Sequence, residues 1–579
     1  MFHQIRAAAL AAAFSFVAFA APQAHAQAVP IPGEQARSLP VVAYNGMAVS
    51  QDVTASRVAV DVLRRGGNAV DAAIALGLAL AVTLPEAGNL GGGGFMLVHL
   101  AKEKKTVAID YRELAPADTP VDVFLDEKGD FVPRKSQDSG LGVGVPGTVA
   151  GLALALEKYG SGRFSFADLA APAAALARNG VPVVDGLLDS LTRSARRLER
   201  HPSSKAIFLQ PDGKPPARGA LLVQKDLAAT LDAIGRDGKR AFYEGPVAER
   251  IVAAVRAAGG RMTIDDLKNY TAIERAPVRG TFRGREILSM PPPSSGGVHI
   301  VEILNILEGF RLSDMGLNSA ETIHLMAEAM KLAYADRSEY LGDPDFVKVP
   351  VAALTSKRYA DALRATISAT ATRPARDIKP GEIAPYESDQ TTHFSVVDSD
   401  GNAVSNTYTL NFSYGVGIVA DGTGVMLNNE LDDFAAKPNA PNAFGLVGGA
   451  ANAPGPRKRP LSSMSPTMVF RDGELEIVTG SPGGSRIITT VLQIILNIVE
   501  HGLNAAEASE APRIHHQWTP DELRVERGLS VDTMRLLQGK GHRINIGSSM
   551  GSTQTIHRVG GLLMGAADTR QRGTGAAGY

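Results

Sequence analysis

One junction constrains the fold of this chain more than any other stretch: Asp389-Gln390-Thr391-Thr392-His393-Phe394-Ser395. A polar, proline-broken segment ends there, and a pattern typical of a β-hairpin begins. A hydroxyl residue that opens a strand beside a loop suits a self-cleaving precursor, because its oxygen can attack the preceding carbonyl carbon. Cleavage would leave Thr391 as a new N-terminus that carries nucleophile and amine base on one residue. The alternative is that the two threonines simply begin a strand, as β-branched residues often do.

The pattern of predicted secondary structure changes at this junction. Residues between about 145 and 370 are mostly helical in pattern, whereas 371–390 carries three prolines and little apolar content, so we expect a flexible lead-in there. After residue 391, hairpin patterns alternate with one long apolar helix over 487–499. Sheets covered by apolar helices predict a layered α/β fold.

The first residues predict export. A short positive stretch, 1–6, precedes an apolar run, 7–21, and Ala24-His25-Ala26 fits the small-x-small cleavage rule. We therefore expect a signal peptide over 1–26. The apolar run is too short for a membrane anchor, which needs roughly 20 residues. The mature protein is expected in the periplasm or secreted, with no membrane association.

Composition and histidine spacing exclude several classes of function. The 579 residues carry a formal net charge of -1, which gives no basic field for nucleic acid. His515 and His516 are neighbours on a predicted strand and would point to opposite faces, and the histidines show no ligand spacing elsewhere. We predict neither a metal nor a cofactor.

Several ordered stretches of this sequence resemble the γ-glutamyltranspeptidase family, in its bacterial form. Besides Gln390-Thr391-Thr392-His393-Phe394-Ser395 and the ranges 89–95 and 291–297, they are Tyr111-Arg112-Glu113, Thr407-Tyr408-Thr409-Leu410-Asn411, Leu427-Asn428-Asn429-Glu430-Leu431-Asp432-Asp433, Arg459-Pro460-Leu461-Ser462-Ser463-Met464 and Gly480-Ser481-Pro482-Gly483-Gly484. Together they span nearly the whole chain after the leader.

The resemblance implies a fold and an activity. The fold is the four-layer αββα sandwich of N-terminal-nucleophile hydrolases, formed by two chains from one self-cleaved precursor. A large subunit would cover 27–390 and a small catalytic subunit 391–579, after cleavage between Gln390 and Thr391. The activity is that of a γ-glutamyltransferase and glutathione hydrolase. Thr391 would attack the γ-glutamyl amide of glutathione or a related compound, and water, an amino acid or a dipeptide would resolve the resulting ester.

The resemblance also assigns roles around the nucleophile. Thr409, on the second strand of the hairpin, would orient the Thr391 hydroxyl, although spacing alone fits a plain cross-strand threonine pair equally well. Gly483 and Gly484 lie between a strand and a helix and would form the oxyanion hole with their N–H groups. The sequence alone favours the alternative that they are turn glycines that supply backbone angles.

A γ-glutamyl group presents a free amino-acid head, a zwitterion. The planar fork of Arg112 suits its α-carboxylate. Ser462 and Ser463 can add hydroxyl donors for the same carboxylate. The resemblance matches Asn411, Glu430 and Asp433 to the positions that hold the α-ammonium. Some family members have glutamine where Glu430 stands. Taken singly, Arg112, Glu430 and Asp433 would be read as ordinary ion-pairing residues; the ordered set favours a substrate site.

A glycine- and proline-rich stretch, 438–459, resembles the lid loop of bacterial members. Phe444 stands where some of them carry tyrosine, so the hydroxyl that a gating hydrogen bond would need is missing. A surface loop with no gating role is the alternative.

Two other functions fit parts of the pattern. A glutaryl-type β-lactam (cephalosporin) acylase of the same fold would not need acceptors for an α-ammonium, so Asn411, Glu430 and Asp433 argue against it. A non-catalytic periplasmic binding protein would have no use for Thr391, Thr409 and the two glycines together.

Overall fold

The computed structural model describes residues 38–379, 391–437 and 448–579. Its strands are β1 Val41–Ala43, β2 Met47–Ser50, β3 Gly93–Leu100, β4 Lys105–Tyr111, β5 Val181–Pro182, β6 Leu221–Leu222, β7 Ile273–Arg275, β8 Val278–Phe282, β9 Arg285–Ser289, β10 Thr392–Val397, β11 Ala403–Thr409, β12 Val419–Ala420, β13 Val425–Met426, β14 Thr467–Arg471, β15 Glu474–Thr479, β16 Ile514–His515, β17 Leu523–Glu526, β18 Ile544–Gly547, β19 Gln554–Val559, β20 Leu562–Ala567 and β21 Gly575–Gly578. Its α-helices are α1 Val53–Arg64, α2 Ala69–Thr83, α3 Pro133–Gln137, α4 Thr148–Tyr159, α5 Phe166–Asn179, α6 Asp185–Leu198, α7 Pro202–Phe208, α8 Lys225–Asp237, α9 Arg240–Tyr243, α10 Gly245–Ala257, α11 Ile264–Lys268, α12 Gly296–Leu307, α13 Leu312–Met315, α14 Ala320–Tyr340, α15 Val351–Leu354, α16 Lys357–Arg364, α17 Ile487–Val499, α18 Ala505–Glu510 and α19 Val531–Gly539.

Two seven-stranded antiparallel sheets form the centre of the molecule. The first has the order β1-β20-β19-β15-β14-β9-β8, and the second has the order β21-β2-β10-β11-β3-β4-β7. The sheets pack face to face: Val49 and Leu97 of the second sheet share one buried apolar cluster with Ile477 of the first. This inner layer excludes water from both sheets.

Helices cover the two outer faces. On the second sheet, α2 contacts β10 and β11, and α4 contacts β3 and β4. On the first sheet, α12 contacts β8 and β9 and packs against α14 and α17. The four-layer αββα sandwich that the resemblance implies is therefore confirmed.

Local sequence explains why the covering helices form where they do. Asn68 caps α2, and its side chain and that of Asp71 form a reciprocal capping box. Every residue of α2 is buried, which its Ala- and Leu-rich composition allows. The predicted apolar helix over 487–499 is α17, and the hairpins predicted after residue 391 are β10–β11, β14–β15 and β19–β20.

Some predicted features lie wholly or partly outside the described residues. The signal peptide 1–26, Gln390 and Phe444 are among them. The structure describes 371–379 of the lead-in, where Trp518 Nε1 donates hydrogen bonds to the carbonyls of Ala375, at 3.0 Å, and Ile378, at 3.2 Å. It describes 448–459 of the predicted lid. Within the described ranges, no helix combines the length and apolarity needed to cross a bilayer.

Glycines let β3 approach β11 closely. An added Cβ at Gly92 would lie 2.0 Å from the carbonyl oxygen of Thr409, and one at Gly94 would lie 2.4 Å from that of Thr407. Neither contact is sterically allowed, so both positions require glycine.

We predict that Gly92→Ala lowers the free energy of unfolding by at least about 2 kcal/mol, because the backbone of β11 must move. The matched control is Gly539→Ala: it lies in α19, and an added Cβ there meets no atom within 4 Å. Thermal unfolding of both variants checks this. Equal midpoints for the two would show that the contact at Gly92 costs nothing.

Candidate active site

The predicted site residues converge on one open pocket of about 300 Å³. The pocket is lined by Arg112, Arg337, Thr391, Thr409, Asn411, Glu430, Asp433, Ser462, Ser463, Met464, Gly484 and Ile487. Of the described residues assigned to the site from sequence, Gly483 alone is not part of the lining. It directly precedes Gly484 in the same turn. The set thus comes together although it spans more than 370 positions in the chain.

Sheet register explains this convergence. Thr392 pairs with Tyr408, so one step further Thr391 lies opposite Thr409. Thr409 pairs with Gly93, and Arg112 follows β4 at the next position opposite Gly93. These four residues form one row across neighbouring strands. With about 4.8 Å between strands, the row spans about 14 Å from Thr391 to Arg112.

The turn after β11 is held by side-chain hydrogen bonds. Thr409 Oγ1 accepts a hydrogen bond from the backbone N–H of Asn411 at 2.8 Å. Asn411 adopts a left-handed φ of 72°, which asparagine tolerates better than most residues. Its Nδ2 donates to the carbonyl of Asn429 at 3.0 Å, which links this turn to the acidic segment that follows Asn429.

Gly483 and Gly484 form the turn between β15 and α17. Both have positive φ, 134° and 54°, where other residues are strained. A short 3-10 turn, Gly484–Arg486, leads into the buried helix α17. The turn therefore places backbone N–H groups at a helix N-terminus, which is favourable for a negatively charged oxygen.

Arg112 is the electrostatic centre of the pocket. Its side chain is completely buried and forms ion pairs with Glu430 and with Asp433, the latter at 2.5 Å from Nη2 to Oδ2. Its Nε donates to the carbonyl of Pro460 at 3.1 Å. Glu430 and Asp433 reach Arg112 because both lie on one 3-10 turn, Glu430–Asp433.

A third carboxylate, Glu113, lies beside this group. Its Oε2 is 3.9 Å from Arg112 Nη1, and its carboxyl group forms a hydrogen bond with that of Glu430. Burial raises the pKa of Glu113 to about 7, and burial together with the charges of Glu113 and Asp433 raises the pKa of Glu430. Although burial disfavours the charge of Arg112, the surrounding carboxylates raise its pKa. The group is therefore rich in negative charge and partly protonated near neutral pH.

The two serines lie on a segment fixed by backbone hydrogen bonds. The N–H of Ser462 donates to the carbonyl of Pro293 at 2.8 Å, and that of Ser295 donates to the carbonyl of Ser462 at 2.8 Å. Ser463 Oγ accepts a hydrogen bond from Arg337 Nη2 at 3.3 Å. The hydroxyl groups therefore lie at a defined wall of the pocket.

Sequence reasoning missed four of the residues just described or lining the pocket: Glu113, Arg337, Met464 and Ile487. Glu113 and Met464 stand next to assigned residues in stretches that resemble the family, so their position was a usable signal. Arg337 lies in α14, whose residues Ala320 to Ser338 are nearly all buried, so no polar face marked it.

A second buried group lies away from the pocket lining. His324, Glu328 and His542 place ligating atoms within 4.8 Å of one another. His324 and Glu328 are four apart on α14, a ligand spacing that the sequence analysis overlooked. Lys331 Nζ lies 2.6 Å from Glu328 Oε1, and His324 Nδ1 lies 2.8 Å from His542 Nε2. A lysine cation already neutralises the carboxylate, so this group ties α14 to its neighbours rather than offering a cation site.

Together, the αββα sandwich and a threonine directly before a central strand, in one pocket with a strand-to-helix turn of glycines, define an enzyme of the N-terminal-nucleophile hydrolase class. The sequence profile of the gamma-glutamyltranspeptidase family matches residues 55–578. The chain belongs to the gamma-glutamyltranspeptidase family.

Individual relatives agree with this placement. The chain is 54% identical to the glutathione hydrolase proenzyme of Escherichia coli (strain K12), over 100% of this chain and 99% of that protein. Among solved structures, the cephalosporin acylase from Bacillus halodurans matches with a TM-score of 0.82 at 28% identity, covering 96% of this chain and 98% of the other. The Helicobacter pylori gamma-glutamyltranspeptidase matches with a TM-score of 0.56 at 46% identity, covering 57% of this chain and 93% of the other.

Proposed function

We propose that this chain is the precursor of an exported γ-glutamyltransferase and glutathione hydrolase. Cleavage between Gln390 and Thr391 yields a large subunit, 27–390, and a small subunit, 391–579. Thr391 then transfers the γ-glutamyl group of glutathione or a similar compound to water, an amino acid or a dipeptide. Residues 1–26 direct the protein to the periplasm or beyond.

Self-cleavage and catalysis use the same hydroxyl. Thr391 Oγ1 attacks the carbonyl carbon of Gln390, and the C–N bond breaks as the ester forms, which frees the α-amine of Thr391. Water then hydrolyses the ester and releases the Gln390 carboxylate and the Thr391 hydroxyl. This amine, with a reference pKa of about 7.7–8.0, then serves as the base. His393 is a poor candidate for that role, because burial lowers its pKa to about 3 and its ring nitrogens face Thr407 and Ser395 hydroxyls.

Acyl transfer follows from the same geometry. Thr391 Oγ1 attacks the γ-carbonyl carbon, and the developing oxyanion is stabilised by the N–H groups of Gly483 and Gly484. The tetrahedral intermediate collapses as the amine product leaves with a proton supplied by the Thr391 ammonium. Water or an acceptor amine then attacks the glutamyl ester, and Thr391 Oγ1 recovers its proton.

The observation that carries the substrate class is the charge separation around Arg112. Its guanidinium and the hydroxyls of Ser462 and Ser463 suit an α-carboxylate, whereas Glu430 and Asp433 suit an α-ammonium. A zwitterionic head would place its carboxylate beside the guanidinium and the hydroxyls, and its ammonium beside the two carboxylates. The glutaryl side chain of a cephalosporin lacks the ammonium and would leave both buried carboxylates without a ligand cation, so we favour the γ-glutamyl substrate.

Lid closure completes the proposal. We assign 438–459 to a lid over the pocket. Lys458, at its end, donates through Nζ to the carbonyls of Ala451 and Ala453, both at 2.8 Å, which holds the end of this loop. Phe444 offers no hydroxyl for a gating hydrogen bond.

Cleavage is tested first. The purified wild-type protein should give two masses, one for a fragment that starts near Gln27 and one for a fragment that starts at Thr391. Thr391→Ala should remain one chain, whereas Thr391→Ser keeps a hydroxyl and should still be cut. Intact-mass spectrometry with N-terminal sequencing checks this. A wild-type chain that stays whole would refute the proposal.

Substrate recognition is tested at Arg112. Arg112→Ala should raise KM for a γ-glutamyl anilide by at least about 100-fold, because a bidentate, charge-assisted contact is lost. Self-cleavage should persist, since that reaction uses the Thr391 hydroxyl and the Gln390 carbonyl and binds no γ-glutamyl head. Arg311→Ala, at an arginine 85% exposed, is the control. An unchanged KM would contradict the assignment.

The acidic group predicts a pH dependence. Below about pH 7 Glu113 holds a proton, so the pocket attracts an α-ammonium less and KM should rise as pH falls from about 8 to about 6. Asp433→Asn removes a charge that raises the pKa of Glu113, so the rise in KM should move to lower pH. KM measured across this range, with exposed Glu157→Gln as control, checks the shift. A rise in KM at the same pH in Asp433→Asn and in the wild type would argue against electrostatic coupling between these carboxylates.

A further inference from the structure

Arg337 is a second cation on the pocket wall, and none of the chemistry above uses it. It lies in the last turn of α14, where the helix dipole favours a positive charge, and it is 4% exposed. Its Nε donates to Ser295 Oγ at 2.9 Å and its Nη2 to Ser463 Oγ at 3.3 Å. Among the described residues, no carboxylate forms an ion pair with its guanidinium.

Arg337 remains charged despite this burial. Burial, together with the charge of Arg112, lowers its pKa to about 10, which still leaves it protonated at neutral pH. A buried cation without an ion-pair partner is costly unless a neighbouring group or a ligand offers negative charge. The pocket is the open side of this guanidinium, so a ligand anion there would lower that cost.

Hydrogen-bond direction adds a more specific argument. An arginine can only donate, so Ser463 Oγ is the acceptor in its contact with Arg337. The Ser463 hydroxyl donates to no acceptor among the described residues, so its own proton is left for the pocket. Arg337 therefore fixes Ser463 as a hydrogen-bond donor towards a ligand.

Arg337 also steadies the backbone that carries Ser463. Its other contact, Ser295, donates through Oγ to the carbonyl of Ser462 at 2.8 Å, and the backbone N–H of Ser295 donates to the same oxygen. The Arg337 guanidinium thus holds the backbone at Ser462 through Ser295 and holds the Ser463 hydroxyl directly.

We propose that Arg337 is a positioning residue that determines specificity for the α-carboxylate: it orients the Ser463 hydroxyl as a donor and supplies a second positive charge to that end of the pocket. This inference rests on the proposed γ-glutamyl function. Arg337 would thus be a second cation beside Arg112, and it would act largely through the Ser463 hydroxyl.

The test compares two anilides that differ only in the α-carboxylate: γ-glutamyl anilide and 4-aminobutyryl anilide. Arg337→Met should lower kcat/KM for the first by about 10- to 100-fold, mainly through KM, and change the second by less than about threefold. Arg337→Lys keeps the charge but not the planar fork and should recover part of the loss. Arg311→Met, at an exposed arginine, is the matched control.

A double-mutant cycle separates positioning from general damage. In a Ser463→Ala background, Arg337→Met should cost less than about threefold, because the hydroxyl that it orients is already absent. Both fragments must be present by intact mass in every variant, and Arg337→Lys serves in place of Arg337→Met if the latter is not cleaved. Equal losses on both anilides, or fully additive losses in the cycle, would overturn the inference. A wild-type enzyme that is cleaved but leaves γ-glutamyl anilide intact would instead overturn the proposed function, and this inference with it.

Discussion

The antiparallel register of the second sheet is the constraint on which the site depends. It sets Thr391, Thr409, Gly93 and Arg112 in one row across adjoining strands. A shift of one residue in any of these pairings would turn the corresponding side chains to the other face. The register is fixed from both sides, because the inner face packs against the first sheet and the outer face against α2 and α4. Catalytic geometry here is therefore a by-product of core packing.

Charge is the second organising element, and it follows from burial. Three carboxylates and two arginines line or adjoin one small pocket, at positions where water cannot solvate them fully. Such a group is tolerable only when its charges are matched in space, as Arg112 is by Glu430 and Asp433. The arrangement that the fold needs for its own electrostatics is also the one that a zwitterionic ligand can enter by exchanging partners.

Local patterns predicted much of this molecule. The apolar helix α17 and the hairpin that begins after Thr391 follow from periodicity and turn residues. The family resemblance supplied the layer order and the residues of the site, which periodicity does not encode. What escaped were long-range contacts. Arg337 meets Ser463 across 126 positions, and His324 meets His542 across 218, with no mark in the surrounding sequence.

The strand order has one more consequence. Strands from before and after residue 391 alternate in both sheets: β2 lies between β21 and β10, and β1 and β9 flank a block of later strands. A chain cut at Thr391 would leave two polypeptides that both contribute strands to each sheet. Neither would have a complete core of its own. Partners would then be inherited from one precursor and never exchanged between molecules. Two defective alleles, one damaged in each half, should accordingly fail to complement each other in the same cell.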